Sequence, residues 1–426
     1  MILIRGGSVF SASTSSKGGF EVKDVLIDGD RIAAVGRVHV DEVSDVVDAS
    51  GCLVGPGFVD MHTHLREPGH TWKEDIASGS AAAAAGGFTA VVAMPNTDPP
   101  IDEANIVEEV IRRGAEVGLV EVSVAGAMTQ GRAGVVPSDI EGLYECGVRI
   151  FTDDGDCVED VDVLLSVMMR IAALPGAVVS QHAEDAAMTV DGHMHEGSMS
   201  ARLDVGGLPA EAEIEVVGRD LDLVRETGAS YHCQHVSAAG TVELIRHAKA
   251  EGLPITAEVT PHHLSFDDTS LADLDTDFKM YPPLRSGDDR RVLREALNDG
   301  TIDVVATDHA PHLPEEKSTL FGEAPRGVIG LETAAAVVSG VVDDPARMFQ
   351  SLSLNPASIA SLKDQGRPIA VGERANIVVF DPRHEWTPDR FVSRSSNSPY
   401  KGHPLKGRPL LTVHNGRIVY SLVGVA

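Results

Sequence analysis

Phe58-Val59-Asp60-Met61-His62-Thr63-His64-Leu65-Arg66-Glu67-Pro68 decides how the rest of this chain is read. The run from Val54 to Met61 is apolar and β-prone apart from Gly55-Pro56-Gly57, and it leads directly into His62 and His64. On an extended strand, residues i and i+2 project from one face, so the two imidazoles are expected to point together. Neutral imidazoles held side by side suit a divalent transition metal, zinc above all. Chance proximity is the competing explanation, because the chain holds 17 histidines. The arginine and the Glu-Pro-Gly turn that follow at once make it the weaker one.

Outward from this strand, the region from 55 to 365 alternates strand and helix. Apolar strand candidates are Thr89–Ala93, Glu121–Ala125, Val148–Phe151, Ala177–Val179, Ser230–Cys233, Ile255–Val259 and Val304–Ala306. Helical patterns fill the gaps at Ile76–Ala85, Ala104–Arg113, Val161–Ala173, Leu221–Glu226, Thr241–Ala250 and Arg290–Leu297. Repeated β-α units of this number favour a parallel (β/α)8 barrel over an open sheet, with working residues after the strands' C-terminal ends. Residues 1–54 and 366–426 instead read as short strands and turns, including a hairpin turn at Val413-His414-Asn415-Gly416-Arg417. The expected architecture is thus an α/β barrel with a small composite β-sandwich built from both termini.

Composition narrows the function. The 35 basic and 64 acidic residues give a formal net charge of −29, which argues against nucleic acid or an anionic membrane surface as a partner. A small anionic substrate stays compatible, because a few local cations reverse the field inside one cleft. No run reaches the roughly 18–20 apolar residues of a membrane span. The N-terminus reads as a strand and turn rather than a leader, so a cytoplasmic enzyme is expected. Cys52, Cys146, Cys157 and Cys233 are widely spread and form no Cys-x-x-Cys pair, which fits reduced thiols.

The polar candidates fall largely where a barrel puts its chemistry. Asp153 and Asp154 follow the strand ending at Phe151; a carboxylate there either caps the next helix or bridges two cations with its two oxygens. His182 and His235 each follow a strand candidate, with His232 a competitor for the latter. Asp308, in Thr307-Asp308-His309-Ala310-Pro311-His312, combines ligation with proton transfer beside a cation. Arg66 offers a bidentate fork for a carboxylate and Asn96 a directional hydrogen bond. The tract His193-Met194-His195 is expected to be solvated, and His262 and His263 to support the site or its loops. Together, His62, His64, Asp154, His182, His235 and Asp308 suit two borderline divalent ions that share a carboxylate and a hydroxide, a geometry for hydrolysing an amide or imide.

Gly57–Gly69 as a whole, Met94-Pro95-Asn96-Thr97, Phe151-Thr152-Asp153-Asp154-Gly155, His235-Val236-Ser237 and Thr307–His312 together resemble the amidohydrolase superfamily, and within it the class I dihydroorotases. The likeness runs through nearly the whole chain, to Asn397–Gly407. It implies reversible ring closure of N-carbamoyl-L-aspartate to L-dihydroorotate, with one zinc on His62, His64 and Asp308 and a second on His182 and His235. An aspartate of the Asp-Asp-Gly turn lies between them: Asp154 by spacing, Asp153 if a one-residue insertion before His182 is counted. Asp308 is then the general acid/base; Arg66, Asn96 and His312 hold the substrate carboxylate, joined by His64, and Phe321-Gly322 meet the ring. The chain departs from the family pattern at Tyr281, which stands before Pro-Pro-Leu-Arg where the family usually has a substrate-touching Asn. The resemblance also implies a homo-oligomer and aspartate carbamoyltransferase as a candidate partner. A hydantoinase- or allantoinase-like hydrolase and a catalytically silent scaffold are the alternatives. No lysine lies near Asp154 to serve as the carboxylated bridge of the hydantoinases, and silent relatives usually lack the ligands retained here.

Overall fold

The strand Phe58–Thr63 opens a run of eight parallel strands in the computed structural model, which describes residues 1–11, 19–39 and 44–423. The others are Phe88–Ala93, Glu121–Gly126, Ile150–Phe151, Val178–Gln181, Tyr231–Cys233, Ile255–Val259 and Val304–Val305, each hydrogen-bonded to the next in chain order. A parallel bridge between Thr63 and His309, with the His64 N–H donating to the His309 carbonyl at 2.9 Å, brings the end of the last strand back to the first. The strands close as a (β/α)8 barrel. Strands covered on both faces need no polar alternation, and Phe58–Thr63 and Phe88–Ala93 are buried along their whole length.

The helices obey the same logic. Ile76–Ala85 begins at Asp75, whose carboxylate accepts the Ser78 N–H while the Ser78 hydroxyl accepts the Asp75 N–H. The segment expected at Leu221–Glu226 is the end of a longer helix, Glu211–Thr227. Its first half escapes the apolar pattern because buried carboxylates stand in it. Glu213 accepts the backbone N–H groups of Ser237 and Ala238, and Asp220 accepts the Tyr231 hydroxyl at 2.8 Å.

At the strands' N-terminal ends, the helix Asn355–Ile359 and the turn after it form a floor. Asn355 donates to the Asp303 carbonyl and Gln365 to Glu121, each at 2.8 Å. Ala357, Ala360 and Leu362 pack there with Val59, Ala90 and Ile150. That end is committed to packing, and the opposite end is left for chemistry.

Both termini supply one eight-stranded sheet. Leu53–Pro56 pairs in parallel with Ile2–Ser11 on one side and antiparallel with Ile377–Trp386 on the other, so the two chain ends meet at the strand that feeds the barrel. Residues from both ends, among them Ile4, Val25, Val54, Ile377 and Leu411, share one apolar cluster. Gly57 links sheet and barrel, and a Cβ at this position would stand 2.3 Å from the Thr89 side chain. The hairpin turn falls at Asn415-Gly416, where φ is 48° and 74°, between the paired residues His414 and Arg417.

Candidate active site

Each charged or imidazole candidate sits at the C-terminal rim. His62 lies near the end of the first strand and His64 just beyond it; Asp154, His182, His235 and Asp308 follow the fourth, fifth, sixth and eighth strands. All six are buried, and they converge. Asp154 Oδ1 lies 3.2 Å from His62 Nε2, 3.7 Å from His182 Nδ1 and 3.8 Å from His235 Nε2. Its Oδ2 lies 3.6 Å from His64 Nε2. Asp308 Oδ1 stands 2.9 Å from His64 Nε2 and 3.7 Å from His62 Nε2. Two donor sets result, His62–His64–Asp154 and Asp154–His182–His235, with ligand atoms within 4.8 Å of one another in each. Asp154 belongs to both. Asp153 turns away, accepting the Thr129 N–H at 3.0 Å and the Thr129 hydroxyl.

The imidazoles are oriented from behind. His62 Nδ1–H donates to Glu258 Oε1 at 2.6 Å, and His64 Nδ1–H donates to Asn96 Oδ1 at 2.8 Å. Those bonds fix the tautomers that aim both Nε2 lone pairs at Asp154. His62 Nε2 is buried without a hydrogen-bond partner, and His182 Nδ1 and His235 Nε2 face each other at 2.9 Å. Nitrogen lone pairs crowded around a shared carboxylate cost free energy unless a cation sits among them, so the donor set fits divalent metal. Burial opposes protonation of His62, but Asp154 and Glu258 outweigh it and hold its pKa well above the ordinary value, so a proton would occupy Nε2 unless a metal displaced it. Burial likewise favours a neutral Asp154 and Asp308. The surrounding imidazoles reverse this, holding Asp154 well below its usual range and Asp308 at about 2.

Glu258 is the residue that sequence reasoning does not single out. It joins His62 to His232, whose Nε2 lies 3.2 Å from Oε2 and whose Nδ1 meets Thr256 at 2.8 Å. His232 is thereby occupied behind the cluster, while His235 stands in it. An acidic residue inside the apolar run Ile255–Val259 was the available signal.

A cavity of about 290 Å³ opens onto the cluster and is lined also by Arg66, Asn96, Tyr281, His312 and Arg326. Arg66 is half-buried, its Nε–H reaching the Pro311 carbonyl at 3.4 Å, and desolvation of the guanidinium pulls its pKa down to about 10. Burial, with Arg66 and Lys73 nearby, pushes His312 to about 2, so its ring is neutral. Arg66, His235 and Asp308 all have left-handed backbones, with φ of 60°, 28° and 46°. Such conformations cost on the order of 1–3 kcal/mol each and persist where surrounding structure holds a functional group in place.

Phe321 and Gly322 do not line this cavity, contrary to expectation. The Phe321 ring is buried among Met194, Met199 and Leu271, and Gly322 is exposed; Arg326 and Gly327 of the same loop reach the cavity instead. The tract His193-Met194-His195 is not solvated either: Met194 is fully buried, and Met194–His195 pairs with Gly207–Leu208. His262 and His263 are buried on the short helix Pro261–Ser265, outside both donor sets.

Two buried lysines hold the loop's backbone. Lys279 donates to the carbonyls of Phe321, Gly322 and Ala324, and Lys317 to those of Lys279, Pro325 and Gly327. Burial lowers both ammonium groups to about 8. An unfolded lysine titrates near 10.4, so between about pH 8 and 10.4 the unfolded chain binds more protons and these groups make stability rise with pH. The change in thermal midpoint from pH 7.5 to pH 10 is expected to be more positive in the unmodified protein than in Lys317→Met, as measured by calorimetry.

Comparison with known proteins agrees with this geometry. A family model described as "Dihydro-orotase-like" matches residues 51–241. The chain is 46% identical to the dihydroorotase of Mycobacterium bovis over 406 residues, covering 93% of this chain and 94% of that one. It is 43% identical to the dihydroorotase of Streptomyces coelicolor, covering 97% of each. Among solved structures, the L-hydantoinase (dihydropyrimidinase) of Arthrobacter aurescens superposes with a TM-score of 0.87 at 25% identity, covering 100% of this chain and 97% of that one.

Proposed function

The chain belongs to the dihydroorotase family, a family of cyclic amide hydrolases, and from that premise we propose how its site works. His62, His64 and Asp308 would hold one zinc ion and His182 and His235 a second, with Asp154 available to both. A metal pair there would polarise the scissile carbonyl and lower the pKa of water. The chain's own residues do the rest. Asp308 takes the proton of the attacking water and returns it to the ring nitrogen as the amide C–N bond breaks; in ring closure the same carboxylate runs the transfer in reverse. Arg66 grips the ring's carboxylate with charge-assisted hydrogen bonds. Asn96, whose carbonyl is engaged by His64, adds its amide N–H; the neutral His312 and Tyr281 complete the walls.

The observation that supports this reading best is that Asp154 belongs to both donor sets in a cavity that also admits the half-buried Arg66. Turnover decides it: dihydroorotate is consumed at alkaline pH and formed from carbamoyl aspartate at acidic pH, and protein inert to both overturns the proposal. Metal analysis tests the bridge. Asp154→Asn is expected to lose at least one of two bound zinc ions, whereas Asp153→Asn keeps both. Equal loss in the two variants, by elemental analysis of the purified proteins, moves the bridge off Asp154. The family reading extends to a cytoplasmic homo-oligomer that associates with aspartate carbamoyltransferase. Light scattering with and without that enzyme tests both associations. Among the described residues, no helix is long and apolar enough to cross a membrane.

A further inference from the structure

Arg326 stands where two spaces meet. The cavity of about 290 Å³ and an adjoining recess of about 390 Å³ share Gly155, His182, Tyr281 and Arg326. The Arg326 guanidinium carbon lies 4.2 Å from the centroid of the Tyr281 ring, and that ring lies 4.7 Å from the imidazole of His182. The side chain is thus laid flat on an aromatic platform that itself touches the metal-binding cluster.

Its donors are largely uncommitted. A guanidinium carries five N–H groups; one goes to the Gly192 carbonyl at 2.6 Å, which fixes the head without neutralising it. Glu184, the buried acid that lines the same recess, gives Oε1 to Arg285 at 3.0 Å and keeps Oε2 without a hydrogen-bond partner, and among the described residues it forms no salt bridge with Arg326. The Arg326 carbonyl accepts His312 Nε2–H at 2.9 Å, so backbone and side chain are both anchored. A stacked, half-buried cation with spare planar donors in a small cavity is built to hold an oxygen acceptor.

Arg66 already enters the cavity at a different wall, beside Pro311, and suits the ring carboxylate. The acceptor left over on the substrate is the ureide carbonyl between the two nitrogens, which becomes the carbamoyl oxygen once the ring opens. We propose that Arg326, held on Tyr281, donates to this oxygen and so binds the ureide end of the substrate in the cavity. The assignment rests on the dihydroorotase reading and adds to it a specificity-determining residue.

The test uses Arg326→Met, which keeps an unbranched stem on the tyrosine ring but removes every donor, and Arg326→Lys, which keeps charge without the planar fork. Kinetics are measured with carbamoyl aspartate and dihydroorotate, and inhibition with succinate, which carries two carboxylates and no ureide. In Arg326→Met, KM for carbamoyl aspartate is expected to rise about 10- to 100-fold, the loss of one hydrogen bond to a charged donor. The inhibition constant of succinate, the zinc content and, within about threefold, kcat are expected to hold. Arg326→Lys is expected to fall between the two. An unchanged KM, or succinate weakened as much as carbamoyl aspartate, overturns the assignment. Unmodified protein that turns over neither substrate fails the dihydroorotase reading first, and the Arg326 assignment with it.

Discussion

Asp308→Asn is expected to hydrolyse dihydroorotate about 10³-fold more slowly with KM changed by less than about threefold, the size of effect that one positioned proton acceptor supplies. The substitution is nearly isosteric, so the left-handed turn at φ 46° and the eighth strand's exit are retained. What goes is basicity. Three imidazoles, His64 first among them, hold the Asp308 carboxyl at about 2 against the pull of burial, so the group is anionic throughout the assay range. An amide in its place accepts no proton at any useful pH. Because Asp308 Oδ1 also stands 2.9 Å from His64 Nε2, zinc content is measured on the same preparation. Zinc retained with kcat lost assigns proton transfer to Asp308. Zinc lost in proportion to kcat reduces its part to ligation.

The legible half of this molecule was written in strands. A barrel strand shielded on both faces is a bare apolar run, and each such run here is followed within a few residues by its polar payload, so Asp154, His182, His235 and Asp308 are found by reading on past the strand. The illegible half lies where a side chain's partner comes from another part of the sequence. Glu258 looks like a flaw in the strand Ile255–Val259 until His62 and His232 appear on its two oxygens. Asp153 and Asp154 differ by one residue, and only Thr129, from the loop just after the third strand, shows which of them turns away. Phe321 fails for the same reason: the cluster of Met194, Met199 and Leu271 that swallows its ring is assembled from distant loops. The helix Glu211–Thr227 was half hidden because its buried carboxylates, paired across to Ser237 and Tyr231, mimic an exposed face.

Arg66→Met is expected to raise KM for dihydroorotate about 10²- to 10³-fold while leaving the ligand-free protein at least as stable. Both halves follow from one fact. Arg66 is half-buried at φ 60°, its Nε–H reaches a backbone carbonyl at 3.4 Å, and among the described residues it forms no salt bridge with a carboxylate. Burial costs this charge enough to draw its pKa to about 10, yet it remains a cation under assay conditions. A half-buried cation with no carboxylate partner is an expense to the folded chain, so a methionine of similar length relieves it; differential scanning calorimetry without ligand is expected to show an equal or higher midpoint. The compensation arrives with the substrate. On a chain of net charge −29 a dianion or monoanion is repelled at long range, and the approach is favourable only where Arg66 and its neighbours reverse the field. Removing one partner of a buried, hydrogen-bonded charge pair costs roughly 2–5 kcal/mol, which sets the expected rise in KM. Dihydrouracil, the same ring without its carboxylate, separates this from a general disturbance of the cavity: its binding is expected to be equal in the two proteins. If Arg66→Met weakens both ligands alike, or destabilises the ligand-free protein, the arginine is a structural prop and the acid is recognised elsewhere.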